Sequence, residues 1–223
     1  MTRVVALAAA AALVLTSCNS GGGNADDEVS PSGSPSPSTT IAIPEGVSLT
    51  EPGAEVSFGD TATVAYEPSQ TRGSVLALTV KKAVKGSVKD FSSFILDDKT
   101  KAATPYYVLV SVKNVGDGDL GGAGIPLRGV DATNTLLPPA TFTTGFSKCP
   151  SEPLPDTFAA GATVDACLVY LAPDGGTLEG VSYRPADFNP IQWTGAITTP
   201  KPKPKPKPEP KKKQPAKKKQ RQR

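Results

Sequence analysis

The sequence predicts an all-β fold, an antiparallel β-sandwich of about 7–9 short strands, and three observations point to it. No stretch keeps apolar side chains at helical spacing over three turns. Several runs alternate apolar and polar residues with a period of two, which puts one set of side chains on each face of a strand. Clusters of Gly, Pro, Asn and Asp stand between these runs and end them.

Taken in order, residues 61–67 are the first candidate strand and residues 73–84 the second. In the second, Leu76, Leu78 and Val80 alternate with Ala77, Thr79 and Lys81. Residues 91–96 fit either a strand or one turn of helix. Residues 105–115 form the strongest run, with Tyr106, Val108, Val110 and Val112 on one face and Tyr107, Leu109, Ser111 and Lys113 on the other. Two largely apolar faces predict a central strand, covered on one side by a second sheet. Residues 116–124 are a glycine-rich turn. Short strands follow at 125–130 and 135–137, around a turn at 131–134, and a further run covers 140–146 before the loop that holds Cys149. Residues 163–171 alternate again, Val164, Ala166, Leu168 and Tyr170 against Asp165, Cys167 and Val169. Pro173, Asp174, Gly175 and Gly176 read as a hairpin-type turn into 177–183. Residues 191–194 end the domain, and Trp193, the single tryptophan, reads as a core anchor or else as an exposed ligand-stacking residue.

The two ends have a different character. Arg3 is followed by an unbroken apolar run over residues 4–14, too short for the roughly 20 residues that span a bilayer. Leu15, Thr16, Ser17 and Cys18 then resemble the bacterial lipobox. The resemblance implies a lipoprotein signal peptide over 1–17, cleavage before Cys18 and lipidation of its thiol, which anchors the chain on the extracytoplasmic face of the cell membrane. An ordinary cleaved signal with a chance cysteine is the other reading. Residues 18–46 hold that cysteine and a Ser/Gly/Pro tether with too little apolar surface to offset its chain entropy. The sandwich domain is expected over 47–200 and a disordered polybasic tail over 201–223.

Charge separates the same pieces. The chain has 24 Lys+Arg and 21 Asp+Glu, a net of +3. Residues 201–223 hold 12 of the bases and one acid, which leaves 12 bases against 20 acids before them. The tail alternates Lys201, Lys203, Lys205 and Lys207 with proline, which favours an extended polyproline II arm. Lys211, Lys212, Lys213, Lys217, Lys218, Lys219, Arg221 and Arg223 complete it. These residues are candidate polyanion contacts: anionic lipid headgroups or anionic cell-wall polymer outside the membrane. Nucleic acid is disfavoured as a partner by the export signal, and no aromatic residue interleaves the lysines for base stacking. A solvated spacer is the alternative.

With Cys18 assigned to the anchor, Cys149 and Cys167 remain as a pair. An oxidising compartment makes a disulfide the default, worth about 3 kcal/mol on chain-entropy grounds for a loop of this length. Two free buried thiols are the alternative.

The run Thr79, Val80, Lys81, Lys82, Ala83, the stretch from Thr104 to Gly116, the Phe158, Ala159, Ala160, Gly161 turn and the run from Cys167 to Pro173 together resemble a known family. It is the immunoglobulin-like, telokin-like family of extracellular actinobacterial lipoproteins, whose domain has no assigned function. The similarity spans residues 61–194. It implies an immunoglobulin-like sandwich without enzymatic activity, and it supplies no catalytic residues.

Candidate chemistry is sparse. The chain has no histidine, so Ser-His-Asp and Cys-His arrangements are excluded. Paired carboxylates such as Asp97 and Asp98 read as solvated surface. The 116–124 loop lacks the Gly-Lys-Ser/Thr of a phosphate loop. Asn114, Asp117 and Asp119 put three oxygen-bearing side chains close together, as weak calcium sites do, but Asx turns account for the same composition. No catalytic residue, metal or cofactor is expected. The expectation is a non-catalytic cell-envelope lipoprotein, a binding or structural module whose basic tail contacts anionic polymer or lipid. The alternative is an extracellular domain that binds a small ligand or a protein partner, with the tail as spacer.

Overall fold

The computed structural model describes residues 41–185 and 189–200. They build two facing β-sheets, so the all-β sandwich read from the sequence is the fold. Its strands are β1 (Glu55–Ser57), β2 (Thr61–Ser69), β3 (Arg72–Lys85), β4 (Thr104–Asn114), β5 (Arg128–Asp131), β6 (Leu136–Leu137), β7 (Thr163–Ala172), β8 (Leu178–Tyr183), β9 (Ile191–Thr194) and β10 (Ile197–Thr198). Among the described residues helix is confined to α1 (Asp98–Ala102) and 3-10 turns at Val88–Phe91 and Pro173–Gly175. None of these is long and apolar enough to cross a membrane.

One sheet has the order β1-β9-β8-β5-β6. The other has β10-β3-β4-β7, and β2 shares with β10 the edge of the long β3. The pairings are antiparallel except β1 with β9 and β10 with β3, which are parallel. This departs from the wholly antiparallel expectation, and the cause is that the described chain changes sheets near both of its ends. β1 passes into β2 through Phe58, Gly59 and Asp60, and β9 passes into β10 through Gly195 and Ala196. The two corners touch: Phe58 N–H donates to Thr194 O at 2.8 Å and Gly59 N–H to Val80 O at 2.8 Å. β10 thus adds, within the expected 47–200 domain, a strand after Thr194 that the sequence did not display.

β4 is central, between β3 and β7, as its two apolar faces require. Its inward set, Tyr106, Val108, Val110 and Val112, joins Leu76, Leu78, Val80, Leu168, Tyr170, Val181 and Trp193 in the core between the sheets. β3 keeps its even-numbered residues inward as far as Val80. A bulge between Val80 and Lys82 then inserts one residue, and the inward phase moves to Ala83. Trp193 is fully buried and its Nε1–H donates to Asp60 O at 3.1 Å, so it is a core anchor with no exposed stacking face.

Two sequence expectations fail for identifiable reasons. Residues 140–146 do not form a strand: Pro138 and Pro139 precede them, and Phe142 and Phe146 both turn towards the outer face of β4 and β7. The Pro173 turn is not a hairpin, because β7 pairs with β4 while β8 pairs with β5 and β9, so the turn carries the chain from one sheet to the other. Of residues 91–96 only Phe91 is helical, as the last residue of the 3-10 turn Val88–Phe91 capped by Ser87; 92–96 form neither strand nor helix.

The end of β4 is tied by one buried carboxamide. Asn114 continues the inward phase of β4, where apolar residues precede it, and is fully buried. Its Oδ1 accepts from Ser74 Oγ at 2.7 Å and from Gly116 N–H at 3.1 Å. Its Nδ2 donates to Gly118 O at 2.7 Å and Phe158 O at 2.8 Å. The glycine loop packs so closely that a Cβ on Gly118 would lie 2.0 Å from Gly73 O, and one on Gly121 would lie 1.9 Å from Asp156 O. Asn114→Ala strands several buried groups at once and is expected to cost on the order of 3 kcal/mol in chemical denaturation. A loss below about 1 kcal/mol would show that the amide is not the tie described.

Candidate functional site

A cleft of about 790 Å³ opens at one end of the sandwich. Three segments far apart in sequence meet there: the end of β2, the chain running into β5, and the end of β8. Ile125 and Leu127 are buried in its floor and Pro139 lies beside them. Tyr66 and Tyr183 form its walls. Tyr183 Oη donates to Ala65 O and so joins β8 to β2 across the sheets; Tyr66 Oη donates to Gly124 O at 2.9 Å and pins the glycine loop. Arg128, Arg184 and Glu67 are exposed on its rim, and Ile41 reaches it from the start of the described residues. Burial, with Tyr66 close by, pushes the Tyr183 phenol up to about 12. Burial also raises Tyr66, against the pull of Arg72.

The chain has five tyrosines, and every hydroxyl is committed. Tyr106 donates to Gly176 O, Tyr170 to Leu127 O and Tyr107 to Asp90 Oδ2. These phenols hold segments in place.

A second apolar cluster covers the outer face of β4 and β7. Phe91, Tyr107, Phe146, Cys149 and Val169 are buried in it, with Phe94 and Phe142 packed against them. Phe91 stacks on Phe146 at 4.8 Å between ring centroids. The Cys149–Cys167 disulfide, with Cα atoms 5.1 Å apart, ties the loop that carries Phe142 and Phe146 to β7. The same loop covers the open edge of that strand: Ala140 N–H donates to Val169 O, Ser151 N–H to Cys167 O, and Ser151 Oγ accepts from Val169 N–H. Lys148 bridges to Asp90 at 2.8 Å and lies over the Tyr107 ring. Burial works against ionisation of Asp90, but bonds from Lys148, Tyr107 and Ser87 outweigh it and lower the carboxyl.

Of the residues singled out in the sequence, Cys149 and Cys167 form the expected disulfide. Cys18 and the basic residues from Lys201 to Arg223 lie outside the described residues. The Asn114 and Asp119 oxygens serve the loop itself: Asn114 Oδ1 accepts from Ser74 Oγ and Gly116 N–H, and Asp119 Oδ1 accepts, at 2.8 Å each, from Gly121 N–H and Phe158 N–H. Among the described residues there is no group of three or more potential metal ligands from His, Cys, Asp and Glu. Sequence reasoning missed Arg128, Arg184, Tyr66 and Tyr183. The available signal was that residues 41–200 contain only three arginines, Arg72, Arg128 and Arg184, among many lysines.

No family model matches the chain. No curated protein matches it either. Among solved structures it is similar to the secreted protein MPT63 of Mycobacterium tuberculosis, at 12% identity and a TM-score of 0.44, over 63% of this chain and 96% of that one.

Two expectations follow from the geometry. Replacing both Cys149 and Cys167 by Ser is expected to lower stability by roughly 3 kcal/mol and to raise binding of a hydrophobic dye as the aromatic cluster loosens. Unchanged dye binding would mean that the cluster holds without the bridge. The second concerns acid. Backbone bonds from Phe158 and Gly121 hold Asp119 below the ordinary carboxylate range, and Lys81, with Ser111, does the same for Asp165. A lowered folded value means that the stabilisation is present above about pH 4 and is lost as pH falls through that value. Asp119→Asn, which keeps an oxygen for both N–H bonds but carries no charge, is expected to lower the neutral-pH midpoint towards its acid value and so to flatten the acid limb of a urea-against-pH series. An unaltered acid limb would remove Asp119 from the account.

Proposed function

We propose that this chain is an exported, lipid-anchored, non-catalytic module of the cell envelope, held to the membrane at Cys18. Its basic arm, residues 201–223, engages anionic envelope polymer or lipid headgroups while the sandwich stands between the two. The Cys149–Cys167 bridge carries the export part of this reading, because such bonds persist in oxidising compartments outside the cytosol. The Leu15, Thr16, Ser17, Cys18 segment supports the anchor, and the concentration of 12 bases in the last 23 residues supports the arm. The non-catalytic part is supported by the absence of histidine and by the structural use of every tyrosine hydroxyl. The rim arginines and apolar floor of the cleft favour a second role, the holding of a small ligand by the same domain.

Labelled palmitate is expected to enter the native chain and not Cys18→Ala, which is released from the membrane fraction. Label in neither form, with the protein in the cytosol, overturns the anchor. Purified chain lacking residues 201–223 is expected to lose retention on isolated cell wall and on anionic vesicles. Equal retention of both forms removes the arm's role.

A further inference from the structure

The body of this protein is acidic, yet its arginines gather at one place. Residues 41–200 carry 11 Lys/Arg against 17 Asp/Glu. All three of the arginines in that body stand around the cleft. Arg72 lies behind it, donating through Nη2 to Gly121 O at 2.6 Å and reaching Tyr66 electrostatically. Arg128 and Arg184 line the cleft itself. The ion pairs among the described residues all use lysine, so no described carboxylate, Glu67 included, stands at ion-pair distance from either rim arginine.

Strand register brings the two together. Arg128 pairs with Ser182 across β5 and β8, and Arg184 stands two residues beyond Ser182. Arg184 follows Tyr183, the last residue of β8, and diagonal neighbours on a strand lie about 7–8 Å apart, a spacing that two arginine side chains lining one cleft can bridge to a single anionic head. Guanidinium presents paired donors that match a carboxylate or phosphate, which lysine does not. Below the rim the surface turns apolar, with Ile125, Leu127 and Pro139, and the Tyr66 and Tyr183 rings are fixed by their hydroxyl bonds. A volume near 790 Å³ lies within the range of small-molecule sites.

We infer that this cleft binds a small single-chain amphiphilic anion. Its carboxylate or phosphate head sits between Arg128 and Arg184, and its apolar body lies on Ile125, Leu127 and Pro139.

The test uses the full unlipidated chain, Cys18→Ser, titrated with decanoate, decyl phosphate, inorganic phosphate and decyltrimethylammonium while backbone amide resonances are followed by NMR. Decanoate and decyl phosphate are expected to shift Gly124, Leu127, Arg128 and Arg184. Arg128→Gln and Arg184→Gln, both at exposed positions, are each expected to weaken binding on the order of tenfold without changing the fold. Inorganic phosphate binding as tightly as decyl phosphate would reduce the site to a bare anion contact and overturn the amphiphile. Cationic decyltrimethylammonium binding equally well, unchanged affinity in the double variant, or shifts confined to residues 201–223 would each overturn the site. The readout is local to the cleft, so it stands or fails separately from lipidation at Cys18 and from retention by the arm.

Discussion

A buried carboxamide destabilises a fold unless all four of its hydrogen-bonding positions are filled, and Asn114 meets that requirement by drawing in three separate segments. Ser74 at the start of β3, Gly118 in the glycine loop and Phe158 before β7 each supply one bond, and Gly116 supplies the fourth. β4 is the centre of its sheet, so fixing its end fixes the loops around it. Asp119 then repeats the device one layer out by capping Gly121 and Phe158. With the glycine loop held here, Tyr66 can lock onto Gly124, and the floor of the cleft follows at Ile125 and Leu127. Polar satisfaction at one buried residue therefore decides where an apolar surface is left open.

The sheet that contains β4 is covered on both faces, by different means. Its inner face meets the other sheet and fills with aliphatic residues and Trp193. Its outer face meets no sheet. Four of the seven phenylalanines gather there, on loops with few backbone bonds of their own, and the disulfide holds those loops down. The bridge does more than close a loop of 18 residues, because the segment it holds also supplies partners to the open edge of β7. An uncovered edge is where one sheet adds to another, and β7 is apolar and β-branched enough to invite it.

The strands were legible where alternation was local. Residues 73–84, 105–115 and 163–171 each show which side faces the core, and β3, β4 and β7 obey that pattern up to the bulge at Lys81. β1 and β10 were not legible, because three and two residues are too few to display a period, and their partners lie far along the chain. The run at 140–146 misled because aromatic residues favour strands as readily as they favour a cluster. Asn114 and Asp119 are compatible in composition with a cation site, and only their partners reveal that the oxygens are already used. The cleft could not be read at all: Tyr66, Arg128 and Tyr183 belong to three strands brought together by the crossing of the chain between sheets.

The strand order also places the two ends of the body. Ile41 reaches the domain beside the β2–β3 hairpin, where Arg72 begins β3, whereas β10 lies along Ala83 and Val84 near the other end of that strand. Twelve residues of extended chain separate Arg72 from Val84, roughly 40 Å at about 3.3 Å per residue. The described chain thus begins at one pole and ends near the opposite one. On the reading proposed above, the length of β3 would set the spacing between what the leader holds and what the trailer holds.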